Sequence, residues 1–168
     1  DRSEFLKASA FFDTDKLIDN CGAGVDILNN LHANQHIPQF VGYAKDAAMG
    51  DADIDADARA RYLKAVEGYW GMIVPGRMYA HGGTGEGEMW GPAHTVAGDI
   101  GKRNAESCAA YNMLKVARYL FFIEQKPAYM DYYERTILNH ILGGKSRDLD
   151  SGTALTPGNC YMYPVNPA

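Results

Sequence analysis

Three things are scarce in these 168 residues: cysteine, runs of positive charge and long apolar stretches. The cysteines are Cys21, Cys108 and Cys160. An odd and sparse set argues against a disulfide framework, and their wide separations match no local zinc-finger spacing. No Lys/Arg run occurs and the net charge is -5. That balance excludes a nucleic acid or an anionic membrane surface as the expected partner. No apolar stretch approaches the roughly 18–20 residues of a membrane span. The chain does not begin with Met and shows no signal-peptide pattern. This is expected of a mature or trimmed protein, or of a segment of a longer one, so both a cytoplasmic and an exported location stay open.

What is present is the composition of a globular domain, 46% hydrophobic and 22% charged, at a length that suits one domain. Eleven tyrosines and two tryptophans stand out, many beside Gly, His or Asn. Such rings suit a sugar face, and they equally suit helix interfaces.

Helical periodicity dominates. Tyr62, Ala65, Val66, Tyr69, Trp70 and Ile73 form one stripe of a helix over 59–73 that Pro75 is expected to end. Met113, Leu114, Ala117, Leu120 and Phe121 repeat the rule over 107–124. A third helix starts near Pro127, presents Met130, Tyr133, Ile137 and Ile141 on one face, and stops at Gly143–Gly144. "HIPQFVGYAKDAAMGD" reads as a fourth, although Pro38 disfavours a helix through the whole run before it. Residues 3–12 read as a fifth, with Asp13 and Thr14 starting a short piece after it. Between these lies a glycine-rich loop, 80–101, of the length that usually signals function. "CYMYPVNPA" alternates weakly and allows at most a short C-terminal strand. The expected fold class is all-α, a portion of an (α/α)6 barrel or toroid with long functional loops. A closed toroid needs about a dozen helices, so apolar helix faces are expected to remain uncovered in these residues alone, to be covered either by more polypeptide or by self-association of copies of the chain.

Four stretches can carry chemistry. Glu106 and Cys108 lie just before the apolar helix. On a regular helix residues two apart point about 200° away from each other, but ahead of the first turn both can aim inward. Carboxylate oxygen and thiolate sulfur are both zinc ligands, whereas a solvated Glu beside a core Cys fits the same spacing. In "GEGEMWG", Glu88 is favoured over Glu86 as a general acid because it is nearer Trp90, whose desolvation would keep a carboxyl protonated; solvated loop glutamates are the bland reading. "LHANQHIPQF" gathers His32, Asn34, Gln35 and His36, donors and acceptors suited to sugar hydroxyls, or a capped helix start with satisfied histidines. Glu134 in "DYYERTILNH" pairs with Arg135 or Arg118 on the plainest reading.

"LHANQHIPQFVGY", "HGGTGEGEMWG", "AESCAAYNMLKVARYLFF" and "AYMDYYERTILNHILGG" occur here in order. Together they resemble the bacterial β-L-arabinofuranosidase superfamily of glycoside hydrolases, from about residue 10 to 168. The resemblance implies an (α/α)6 catalytic domain, of which residues 1–168 would be a single central part. It implies retaining hydrolysis of terminal β-L-arabinofuranosides by a zinc-bound cysteine thiolate. Zn2+ would be held by a Glu-x-Cys pair, matched by Glu106 and Cys108, and by a later Cys-Cys pair that includes the nucleophile. Glu88 matches the acid/base glutamate. His36, Glu134 and Tyr161 match sugar-contacting positions. The partner so implied is an arabinofuranosyl oligosaccharide or glycoconjugate. No adjacent cysteines occur in this sequence. The nucleophile is therefore expected outside it, the zinc site is expected to be incomplete, and the fragment alone is expected to be inactive. Two rivals accompany this reading: a two-carboxylate glycosidase using Glu88 with Glu106 or Glu134, and a noncatalytic helical module for carbohydrate binding or assembly.

Overall fold

A computed structural model describes residues 2–50, 54–98, 100–145, 160–163 and 165. Six α-helices follow one another: α1 Arg2–Ala10, α2 Asp15–Gly22, α3 Ala33–Ala47, α4 Ala56–Arg77, α5 Ser107–Glu124 and α6 Pro127–Thr136. A π-helical turn over Ile137–Leu142 extends α6. The described residues contain isolated β-bridges and no strand. Of the C-terminal stretch read as a short strand, residues 164 and 166–168 lie outside the described residues; among the rest, Met162 forms one antiparallel bridge, to Glu106. Among the described residues no helix is long and apolar enough to cross a membrane.

Helices α2 to α6 pack against one another as the all-α portion of a toroid. α4 lies against α2 and α3, while α5 lies against α3 and α6. The α2–α4 contact is close because Gly68 has no side chain: a Cβ there would sit 1.9 Å from the Cys21 carbonyl oxygen. Between the layers the tyrosines do core work. Phe40 stacks on Tyr69 at 3.6 Å, Tyr43 on Tyr62 at 5.5 Å, and Trp70 meets Tyr129 and Tyr132 edge-on. Six of the tyrosines, at 43, 62, 69, 79, 129 and 132, are buried, so most of the aromatic excess is spent on packing rather than on display.

Three expectations are corrected. Pro75 does not end α4, which runs on to Arg77; so near the helix end the lost N–H costs one bond only, and the Arg77 side chain ties the turn down. Its guanidinium makes two hydrogen bonds to Asp26, at 2.7 and 3.1 Å, and also donates to the Gly91 and Met72 carbonyls. Pro38 lies inside α3, which starts at Ala33. The third predicted helix buries Tyr129, Tyr132, Thr136 and His140. The expected Tyr133, Ile137 and Ile141 are only half-covered. The buried residues keep the α-helical spacing of 3, 4 and 4 and lie one position before the expected stripe; the offset is already present at Tyr129 and Tyr132, ahead of the π-turn.

α1 packs against no other described helix. Phe5, Phe11 and Phe12 on and just after it are 76%, 90% and 82% exposed. The expected uncovered apolar surface is present, beyond what scattered surface residues would give.

Candidate active site

The site forms where the N-termini of α3 and α5 meet the glycine-rich loop. Five backbone hydrogen bonds hold it. Asn30 N–H donates to Trp90 O and Trp90 N–H to Leu31 O. Ala33 N–H donates to the Glu88 carbonyl at 2.9 Å. Ala105 N–H donates to Gly85 O, and Ser107 N–H to Tyr161 O, both at 2.8 Å. Glu88 and Ala105 occupy the left-handed region at φ 75° and 53°. A non-glycine residue held there carries local strain that the surroundings must enforce. Both mark places where the chain turns to present a side chain, Glu88 itself and Glu106 next to Ala105.

Glu106 is the N-cap residue of α5 yet makes no capping bond. It is 1% exposed, and its Oε2 has no hydrogen-bond partner. Its Oε1 faces the Tyr161 hydroxyl at 3.1 Å, and the same hydroxyl lies 2.8 Å from Glu88 Oε1. A phenol has one proton and donates to one carboxylate at a time. The hydrogen bond to Glu88, then burial, then Glu106 raise the Tyr161 phenol above its ordinary value. Both carboxylates touch one oxygen, so they stand at most about 6 Å apart, near the roughly 5–5.5 Å of a retaining pair.

Cys108 lies beside Glu106. Burial first, and then the Glu106 carboxylate, raise its thiol above the ordinary range. The helix start thus brings the two side chains of the Glu-x-Cys pair together. Cys108 also lines a cleft of about 410 Å³ whose walls include Asn34, Asn112, Lys115, His140 and Cys160. Among the described residues no three His, Cys, Asp or Glu side chains converge as a complete metal cluster.

The two glutamates of the loop separate clearly. The Glu86 carboxylate accepts from Asn104, which also holds Tyr79, whereas Glu88 faces Tyr161 and His32, whose Nε2 lies 3.8 Å from Glu88 Oε2. The reason given for Glu88, its proximity to Trp90, is not the one the fold uses. Trp90 is 1% exposed, packs edge-on against Tyr69 and donates to Thr84 Oγ1. His32 was legible only as one of a polar cluster; its part in the site comes from the His32–Met89 bridge, a pairing 57 positions apart that no local pattern announces. His36 lies one turn further along α3, its Nδ1–H donating to the His32 carbonyl at 2.7 Å. Glu134 is exposed on α6 and, among the described residues, bonds neither to this cluster nor to Arg118 or Arg135.

Paired carboxylates bridged by a phenol, with a thiol beside them, thus lie together at the helix N-termini, an arrangement compatible with glycoside hydrolysis. The family model described as "Beta-L-arabinofuranosidase, GH127 catalytic domain" matches residues 2–166, and the chain belongs to that family. No curated protein matches the sequence.

Proposed function

We propose that these residues carry the acid/base half of a site for retaining hydrolysis of terminal β-L-arabinofuranosides. The observation that carries the reading is the Tyr161 bridge, which sets Glu88 beside Glu106 and its neighbour Cys108. Glu88 gives a proton to the leaving glycosidic oxygen and takes one from water in the second half of the reaction. Tyr161 orients the Glu88 carboxylate, and His32 faces its other oxygen. His36, Tyr161 and, from the exposed face of α6, Glu134 are the proposed sugar contacts.

Glu106 and Cys108 fit the zinc of the family: one is a buried carboxylate with an unpartnered oxygen, the other a thiol against it. Zinc, when bound, keeps thiols ionised at neutral pH. In this reading the remaining ligands and the attacking thiolate come from polypeptide outside the 168 residues, since no adjacent cysteines occur within them.

The test uses an aryl β-L-arabinofuranoside. The longer polypeptide containing these residues should hydrolyse it, lose about 10²–10⁴-fold in rate on Glu88→Gln, and stop on chelation. The 168-residue chain alone should show little turnover and weak zinc binding; robust turnover by it would overturn the split site. The spacing of Glu88 and Glu106 gives a second reading, a two-carboxylate glycosidase, which would be indifferent to the chelator. Sugar binding without turnover, unchanged by Glu88→Gln, would instead identify a noncatalytic module.

A further inference from the structure

The cleft beside Cys108 contains a polar rung that the proposed acid/base chemistry leaves unused. Lys115 Nζ donates to Asn112 Oδ1 at 2.9 Å, and Asn112 Nδ2 donates to Asn34 Oδ1 at 2.8 Å. All three residues line the cleft. The direction of this rung is fixed chemically. An ammonium only donates, so Asn112 must turn its oxygen to Lys115 and its amide nitrogen to Asn34. Asn34 must then accept, which leaves its own NH2 as the free end. The two ends of the rung are therefore donors, the other N–H bonds of Lys115 at one end and the NH2 of Asn34 at the other, while the amide oxygens between them each keep one lone pair.

Lys115 is half-buried, with its Nζ 4.3 Å over the Tyr111 ring. Among the described residues no carboxylate pairs with it, and the same holds for Arg118 one turn on. A second cavity, of about 390 Å³, continues the first past Tyr111, Lys115 and Ile141 and adds Arg118 and Tyr133. On a chain of net charge -5, two unpaired cations along one groove are a local reversal of sign. Cations left unpaired in a cleft draw anionic ligands, and a half-buried ammonium needs acceptors for its remaining protons.

We propose that the Lys115–Asn112–Asn34 rung is a specificity subsite for a saccharide bearing a carboxylate, a uronate unit, set next to the position that Glu88 and Glu106 address. Tyr111 supplies the apolar face against which the ring lies. The inference rests on the hydrolase reading for the place of the cleft, and it adds the charge of the substrate.

Titration calorimetry of the chain with D-galacturonate and D-galactose tests it, since the two sugars differ only in the oxidation state at C6. Galacturonate should bind about 10-fold tighter at low ionic strength, with the advantage shrinking as salt rises. Lys115→Met should remove the advantage and leave galactose affinity unchanged, and Lys115→Arg should retain it. Asn34→Asp, a change the first turn of α3 tolerates, should reverse the preference even if Lys115→Met fails to fold. Equal affinity for the two sugars, or a preference that survives Lys115→Met, overturns the subsite while leaving the hydrolase reading intact. Binding of neither sugar also overturns it, and arabinofuranoside hydrolysis by the longer polypeptide then decides the hydrolase reading separately.

Discussion

His140 should make this fold acid-sensitive well above the carboxylate range. Its ring is 1% exposed in the π-helical turn, 4.8 Å from the His81 ring and 5.6 Å from Tyr163. Burial, and then the neighbouring His81, lower its pKa from 6.5 to about 4; burial lowers His81 in the same direction. The folded state then refuses a proton that the unfolded chain accepts below about pH 6.5. The stability this group contributes is complete above that value, falls as the pH drops toward 4, and changes no further below it. At 1.36 kcal/mol per unit the whole effect is about 3 kcal/mol, of which about 2 kcal/mol is lost by pH 5. For a domain of this size that is a fall of roughly 4–8 °C in Tm. Urea unfolding of the wild type and of His140→Gln at pH 7 and pH 5 measures it. The variant loses packing at both pH values, so that loss cancels in the double difference, as do the carboxylates. A double difference of about 2 kcal/mol is expected. A His140 Cε1 proton that titrates near 6.5 by NMR, with equal pH slopes for the two proteins, would refute the reasoning.

Two further predictions concern the frame. Gly68→Ala should destabilise by about 2–3 kcal/mol despite a helix-propensity gain of about 1 kcal/mol, because its Cβ meets the Cys21 carbonyl, whereas Gly71→Ala on the open face of the same helix should be neutral or stabilising in urea melts. Arg77→Met should cost about 2–3 kcal/mol by the same measurement. This is less than the roughly 3–5 kcal/mol of a fully buried pair, because Asp26 keeps contact with water at 32% exposure.

How much of this was legible in the sequence differs by element. The helix over 107–124 was readable at both ends because its stripe is long and unbroken. The proline positions misled, because a helix wedged between two neighbours tolerates a lost N–H that an isolated helix would not. The buried face of α6 was missed by one position because two stripes of the same period compete in "AYMDYYERTILNHIL": Met130, Tyr133, Ile137 and Ile141 are the more apolar set, yet Tyr129, Tyr132, Thr136 and His140 are the buried one. In the site, Glu106 and Cys108 could be paired from the motif, but Tyr161 reaches them through a bridge between Glu106 and Met162, and such long-range pairing leaves no trace in local pattern. Glu88 was favoured over Glu86 as general acid for a reason the fold does not use. Trp90 went to the core, and Asn104, 18 positions away from Glu86, made the distinction.

Glu106 poses the energetic question on which the proposed zinc turns. An N-cap position favours Ser, Thr, Asp or Asn, whose short side chains reach back to the first amides; this glutamate caps nothing and folds inward, with Oε2 unpartnered. Burying a carboxylate without compensation costs several kcal/mol. The dipole of α5 returns about 0.3–1 kcal/mol, and the Tyr161 phenol, shared with Glu88, gives roughly one charge-assisted hydrogen bond of about 1.5–3 kcal/mol. No Lys or Arg among the described residues pairs with it. The neighbouring thiol worsens the balance if it ionises alone, since two negative groups would share one pocket, and its pKa is raised accordingly. A divalent cation reverses both signs at once: it compensates the buried carboxylate and makes the thiolate the favoured form. The same pair that is costly in an apo protein is thereby one that a metal would stabilise, which is the physical support for the proposed zinc at Glu106 and Cys108.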